Sequence, residues 1–438
     1  MSSFVNEAEL DRTMEILNEL KKVLQIPEAP PVVLHNKSDA ISKLVRPLLA
    51  DEGSETTECI RQKALGFIEN CENDSLNRSI GCILGMAIAD AVGAPLEFTS
   101  AMDYGPDAPR WDRKTNTYHG IHGNRFNLKR GQYTDDASMG IALCDSLLLS
   151  TSDFDGSDAR IRWHAWWHFG YANAFLRDDS RSASVGLGGN IGRSLDALVP
   201  GHRPPPAVNN DSEDAGNGSI MRLAPVPVRF FLQQDKLLDV ARRQSLATHP
   251  GFLAAECSAF LSFACARAIN LYSPTSPSKF LDETIDAFLT QANYKTHDIN
   301  HQSIILLLTS TATPSNNPNE QLWNWRSDPL PIMNTLSARG RSYNGYPNTP
   351  GYFGSFCMDA LAMALHSFYH TTSFDAAIER CINFRGDADS TGSVTGQLAG
   401  AFYGASGIPR FLKEQLYVWD RGDTALRALL LWARARDI

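Results

Sequence analysis

Two short acidic runs in this 438-residue chain could do chemistry together. Asp387 and Asp389, followed by Ser390, lie where an apolar stretch gives way to a new helix, and Thr134-Asp135-Asp136 opens another helix about 250 residues upstream. Four carboxylates gathered by folding repel one another, and burial alone raises their pKa values instead of leaving them ionised. A divalent cation resolves that conflict. The donors are hard oxygens, with the hydroxyls of Thr134 and Ser390 and no Cys or His among them, which favours magnesium, manganese or calcium over zinc or copper. The competing reading is ordinary capping, since Ser/Thr/Asp residues before an apolar helix satisfy free N–H groups and the helix dipole. Two such acidic caps, each joined to a helix of small residues, shift the balance toward one shared site.

Weaker elements could complete it. Glycines in Ala215-Gly216-Asn217-Gly218-Ser219 would let backbone N–H groups approach a phosphate or a polyhydroxylated ligand, and Gly186-Leu187-Gly188-Gly189-Asn190 precedes another helix in the same way. Neither run is a Walker loop or a dinucleotide fingerprint. His249, beside Thr248 and Pro250, is open to two readings, a ligand contact or a structural histidine. His164 and His168 share a helix face but lack the glutamate of a zinc protease, so packing is the better reading.

These residues must be positioned by helices. Helical spacing is expected over 77–93, 135–150, 157–176, 189–199, 235–247, 251–271, 279–292, 301–310, 355–370, 373–384, 391–405, 409–416 and 423–436, and alternating strands are nearly absent. The stretches 99–132, 200–216, 272–278 and 311–352 read as loops, and loops that long are usually functional or disordered. Gly81, Gly85, Ala89 and Gly93 recur every four residues, as do Gly392, Gly396, Gly400 and Gly404. Each series makes a ridge with almost no side chain, so the two helices are expected at the centre of the bundle, in contact, with Asp90 and Glu97 near Asp387 and Asp389. Residues 1–75, with helices expected over 8–25 and 39–71, form an N-terminal extension, and 76–438 form the main domain.

Composition excludes other classes. A net charge of −9 argues against nucleic-acid and anionic-membrane partners. Eight scattered cysteines without a Cys-x-x-Cys pair, and a start without a basic-then-apolar leader, point to a reducing, cytoplasmic setting.

Gly81 to Phe98, Thr134-Asp135-Asp136, Gly216 to Arg222, Thr248-His249 and Gly386 to Gly404, in that order, resemble the ADP-ribosylglycohydrolase family over roughly residues 77–420. The resemblance implies an all-α, compact multi-helix bundle with a binuclear metal cleft. It also implies a hydrolase that removes ADP-ribose from a modified protein side chain, with ADP-ribose as product. Two Mg²⁺ ions are implied as cofactors, Mn²⁺ being able to substitute. By the same resemblance Thr134, Asp135, Asp136, Asp387, Asp389 and Ser390 are metal ligands, with Asp389 bridging, and Glu97 is a mobile glutamate over the metals. Gly216, Asn217 and Gly218 border the diphosphate and ribose, Gly186 and Gly188 the phosphates, and His249 the far ribose. Glu97, Asp135, Asp136 and Asp389 are the expected catalytic residues, Glu97 as the acid, for attack of water on the ribose anomeric carbon. The sequence departs from the family pattern at Ala89, Ala137 and Arg385. Hydrolysis of poly-ADP-ribose or of free ADP-ribose derivatives, and noncatalytic ADP-ribose binding, remain alternatives.

Overall fold

Glycine at every fourth position leaves a helix face bare, and the structure sets two such faces against each other. The computed structural model describes residues 7–30, 32, 48–102, 105–121, 123–175, 177–181, 183–208, 215–292, 294–295, 298–312, 317–344 and 346–438. In it the helices Asp74–Gly93 and Ala388–Tyr403 touch backbone to backbone. A methyl group added to Gly85 would overlap the Gly396 carbonyl oxygen, one on Gly81 the Gly400 oxygen, and one on Gly93 the Ala388 oxygen. A helical glycine costs about 1 kcal/mol against alanine, so this series is tolerated because close packing offsets it. Gly404 ends the ridge, terminating the helix with φ of 74° while its backbone still lies against Gly81.

Around this pair pack Phe252–Ile269, Cys357–Tyr369, Phe374–Ile382 and Asp423–Ala435, and the fold is all-α, 60% helix and 3% strand. Asp74–Leu96 and Phe252–Ile269 are long and apolar enough to cross a membrane, yet 94% and 89% of their apolar windows are buried inside the body. Their apolarity is used for packing. Cys59 is exposed and Cys71 half-buried, the other six thiols are buried, and all eight are free.

Several boundaries differ from expectation. The helix expected to reach 176 ends at Phe169, because Gly170 takes a left-handed conformation with φ of 74° and terminates it. The one expected over 39–71 is described only as Glu55–Glu69, with Ser54 accepting from Thr57 N, and residues 39–47 lie outside the described residues, as do 209–214 of the polar loop before Ala215. Two stretches read as loops carry structure. Arg110–Asp112 pairs with Thr117–His119 as a hairpin, and 311–352 contains a 3₁₀ segment Pro318–Trp323, the helix Ile332–Arg339 and a two-residue ladder. The short helix Pro225–Phe230 was also unforeseen.

Candidate functional site

Thr134 and Asp387 each occupy the N-cap position of their helix, and neither makes a side-chain cap hydrogen bond. That separates the two readings of the acidic runs. The Thr134 hydroxyl lies 2.9 Å from Asp90 Oδ1, 3.1 Å from Asp136 Oδ2 and 3.3 Å from Asp389 Oδ2, so it faces three carboxylates from three helices. Capping is done from a neighbouring helix. Asp90 accepts from Thr134 N at 2.9 and 3.1 Å and from Ala137 N at 2.9 Å. Asp90 was placed near the site by the glycine ridge, but its role as the cap of a second helix was not legible.

Two sets of carboxylates converge. Asp90, Asp136 and Asp389 form one, Glu97, Asp387 and Asp389 the other, each with its oxygens within 4.8 Å of one another, and Asp389 is common to both. Ser390 is buried beside them, its N–H on Asp389 Oδ1 at 2.9 Å and its hydroxyl 3.6 Å from the Met221 sulfur. Asp135 lies just outside these sets, packed against Gly186, where φ is 96° and any side chain would collide with the Asp135 carboxylate.

Charge crowding is severe. Burial, then the Asp389 charge, pushes Asp90 up to about 8 despite its three N–H and hydroxyl donors, and the same two causes push Asp387 up to about 8. Burial followed by neighbouring carboxylates also drives Asp135, Asp136 and Glu97 well above the ordinary range. Glu97 Oε2 and Asp136 Oδ1 are buried with no hydrogen-bond partner among the described residues. Unsatisfied hard oxygens in two clusters with one shared member are the donor chemistry of a divalent-cation site, so the residues present fit a metal.

A second wall is polar and glycine-lined. The His249 ring lies against Gly216 and Gly218, where a Cβ would stand 3.2 Å from Nε2 and 2.8 Å from Cε1, and Asn190 Nδ2 would be 3.0 Å from a Cβ on Gly216. The buried Arg222 donates to Thr248 Oγ1 at 2.7 Å, and that hydroxyl is 2.8 Å from His249 Nδ1. Burial lowers Arg222 to about 9, partly offset by Asp135, and the guanidinium lies 3.8 Å from the Trp163 ring centre. Asn217 donates through Nδ2 to Gly354 O and to Asp387 Oδ2, both at 3.0 Å, so it holds a carboxylate of the acidic pole in place. Gly188 caps Gly189–Asp196 without a side-chain bond and has open space around it.

Tyr352 and its aromatic neighbours escaped the sequence reading. Tyr352 lies at the acidic pole, where burial, then the Asp387 and Glu97 charges, raises its phenol far above the usual value. Phe98 stacks on it at 5.5 Å and 11°, with Phe126 edge-on at 5.9 Å. Arg385, one of the positions noted in the sequence, is buried with φ of 68°, a left-handed conformation that a long side chain rarely takes. The available signals were Tyr352 and Phe353 bracketed by Gly351 and Gly354, and the position of Phe98 directly after Glu97.

The ADP-ribosylglycohydrolase family model matches residues 72–437. The chain belongs to this family. It is accordingly a glycosidic-bond hydrolase. It is 25% identical to the ADP-ribosylarginine hydrolase of Serratia proteamaculans, over 84% of this chain and 82% of that one. It is also 25% identical to the ADP-ribosyl-[dinitrogen reductase] glycohydrolase of Rhodospirillum rubrum, over 76% and 88%. A solved structure, an ADP-ribosylglycohydrolase-related protein complex, shares the fold with a TM-score of 0.57 at 24% identity, covering 83% of this chain and 99% of that one.

Proposed function

We propose that this hydrolase removes ADP-ribose from a modified protein side chain by cleaving the N- or O-glycosidic bond at the anomeric carbon of the distal ribose. The observation that carries the proposal is Asp389 shared between two oxygen clusters beside a glycine-lined wall. Relatives named for ADP-ribosylarginine and ADP-ribosyl-[dinitrogen reductase] support the choice of substrate. Thr134, Asp136 and Asp389 would hold one divalent cation, and Glu97, Asp387, Asp389 and Ser390 the second, with Asp135 alongside and magnesium as the ion. Bound cations supply positive charge that polarises ribose oxygens and offsets carboxylate repulsion.

The remaining work falls to the chain. Gly216 and Gly218 leave room for a nucleotide against His249, and Gly186 and Gly188 let backbone N–H groups approach phosphate oxygens. Asn217 fixes the Asp387 carboxylate and so orients the acidic pole. Glu97 sits after the helix end, on a non-helical segment, while Asp90, Asp136 and Asp389 are locked within helices. With one oxygen unpartnered, Glu97 is the carboxylate best placed to pass a proton to the leaving side chain, and Asp135 or Asp136 to orient the attacking water. Residues before 76 serve as a cap on the catalytic domain.

Asp136→Asn tests this reading because it keeps volume and removes one charge. The expected result is a fall in kcat of about 10³-fold or more on an ADP-ribosylated peptide, and loss of a rise in melting temperature that Mg²⁺ is expected to give the wild-type protein. Full Mg²⁺-dependent turnover by the variant would overturn the metal assignment.

A further inference from the structure

At the Glu97 end of the cleft the walls change character. The polar wall of Asn190, Gly216, Gly218 and His249 suits a nucleotide under the proposed function, but Phe98, Tyr352 and Phe126 form an aromatic rim that this reading leaves without a task. Phe98 is 41% exposed, although large rings normally bury, and its φ of 61° is a conformation that a bulky residue rarely takes. It is held there from both sides, Phe98 N donating to Gly386 O at 2.9 Å and Gly386 N to Thr99 O at 3.1 Å. The ring is therefore kept out of the core by the same strand of contacts that positions Asp387. Met102, 50% exposed beside Gly351, extends the apolar edge.

The occupant of this rim is indicated by the chain itself. The Arg125 guanidinium carbon sits 4.2 Å from the Phe98 ring centre. Arg125 is solvent-exposed and makes no ion pair among the described residues, so the ring face, and no carboxylate, holds it. A planar, weakly hydrated guanidinium is the cation best suited to an aromatic face. We infer that the Phe98–Tyr352 rim is the platform for the guanidinium of an ADP-ribosylated arginine, with Arg125 occupying that face in the absence of substrate. The inference rests on the proposed hydrolase reading and narrows its substrate class. Exposed cation–π contacts are worth only about two- to fivefold in affinity, so a substrate arginine tethered through its ADP-ribose displaces Arg125 at small cost. A serine-linked substrate offers neither the plane nor the charge and gains nothing from the rim.

The test uses the full chain, arginine-linked and serine-linked ADP-ribosyl peptides of one sequence, and agmatine as a free guanidinium probe titrated in the presence of ADP-ribose and Mg²⁺. Wild type is expected to prefer the arginine-linked peptide. Phe98→Leu should lower that preference about two- to fivefold, mainly by raising KM, while Phe98→Trp restores it and inhibition by ADP-ribose changes less than about twofold. Arg125→Ala should tighten agmatine binding about two- to fivefold. Equal loss on both peptides in Phe98→Leu, agmatine binding indifferent to Phe98, or weaker agmatine binding in Arg125→Ala would each overturn the platform. If wild type hydrolysed neither peptide yet bound agmatine through Phe98, the hydrolase reading would fall and the platform would stand.

Discussion

The two sides of the candidate site are held by opposite means. On the acidic side, Asp74–Gly93 and Ala388–Tyr403 meet backbone to backbone, so the placing of Asp90 and Asp389 depends on side chains that are absent. On the rim side, the segment that delivers Tyr352 is tied down by side chains reaching across. Trp325 Nε1 donates to Leu307 O at 2.8 Å, Trp323 Nε1 to Asp359 Oδ1 at 2.9 Å, Arg339 to both Asp359 oxygens at 2.5 and 2.9 Å, and His366 Nδ1 to Trp325 O at 2.9 Å. The contrast teaches a division of labour. Contact between backbones has no rotamers to adjust and suits carboxylates that must converge within a few ångströms, whereas the rim segment is held by individual side chains that can be replaced one at a time.

The largest effect is expected where the backbones touch. Gly396→Ala drives a methyl group into the Gly85 carbonyl oxygen and toward the Ala89 side chain, with no rotamer able to relieve it. A loss of more than about 3 kcal/mol of folding stability is expected in urea unfolding, enough to prevent recovery of folded protein in many hosts. Gly66, inside Glu55–Glu69, is the control, since a Cβ there meets nothing within 4 Å. Gly66→Ala should instead stabilise by about 0.5–1 kcal/mol. If Gly396→Ala cost no more than an ordinary surface change, the helices would not be locked through their backbones and the contrast would dissolve.

A smaller effect, confined to the rim side, follows from Asp359→Ala. Arg339 has a side chain only 4% exposed and would lose its closest carboxylate. Breaking a buried ion pair from one side costs about 3–5 kcal/mol. Here Glu320, 3.3 Å from Arg339, remains as a second partner, so about 2–3 kcal/mol is expected. Hydrogen exchange should rise in 317–344 and stay slow in Asp74–Gly93 and Ala388–Tyr403. Faster exchange in both regions alike would mean that the two sides are one cooperative unit.

The same contrast explains what could be read beforehand. A four-residue glycine period is a local pattern with one geometric meaning, so the central helix pair and its four-carboxylate neighbourhood were visible in Gly81, Gly85, Gly396 and Gly400. Which way a cap residue points is not local. Thr134 and Asp387 look like ordinary caps in sequence, and only distant residues decide otherwise: Asp90 takes the Thr134 and Ala137 N–H groups, and Asn217 donates to Asp387 Oδ2. Phe98 and Tyr352 are about 250 residues apart and belong to no periodic pattern, so their stacking had no signature. Ile332–Arg339 is barely two turns long, too few for a period to register, though Pro331 and Gly340 bracket it.

The finest distinction between the two sides is in their response to acid. His366 is buried on Cys357–Tyr369, with Nδ1 on Trp325 O and Nε2 accepting from Arg380 Nε at 3.1 Å, so it is neutral with its proton on Nδ1. Burial lowers it to about 4, with Arg380 and His370 acting in the same direction and the Trp325 carbonyl and Asp328 opposing. Its folded value is thus below the value of about 6.5 in the unfolded chain, and the unfolded state takes up the proton first. The stability it contributes is complete above pH 6.5 and is lost as the pH falls toward 4, about 2 kcal/mol by pH 5. The acidic pole slopes the other way in metal-free protein, because its raised carboxylates are relieved by protonation. Whole-protein stability therefore mixes two opposed terms, and a single variant separates them. His366→Asn can still donate to Trp325 O but cannot titrate, so the wild-type-minus-variant difference in urea stability should shrink by about 2 kcal/mol between pH 7.5 and pH 5. A difference that stayed constant over that range would show that His366 is not the acid-sensitive tie of the rim side.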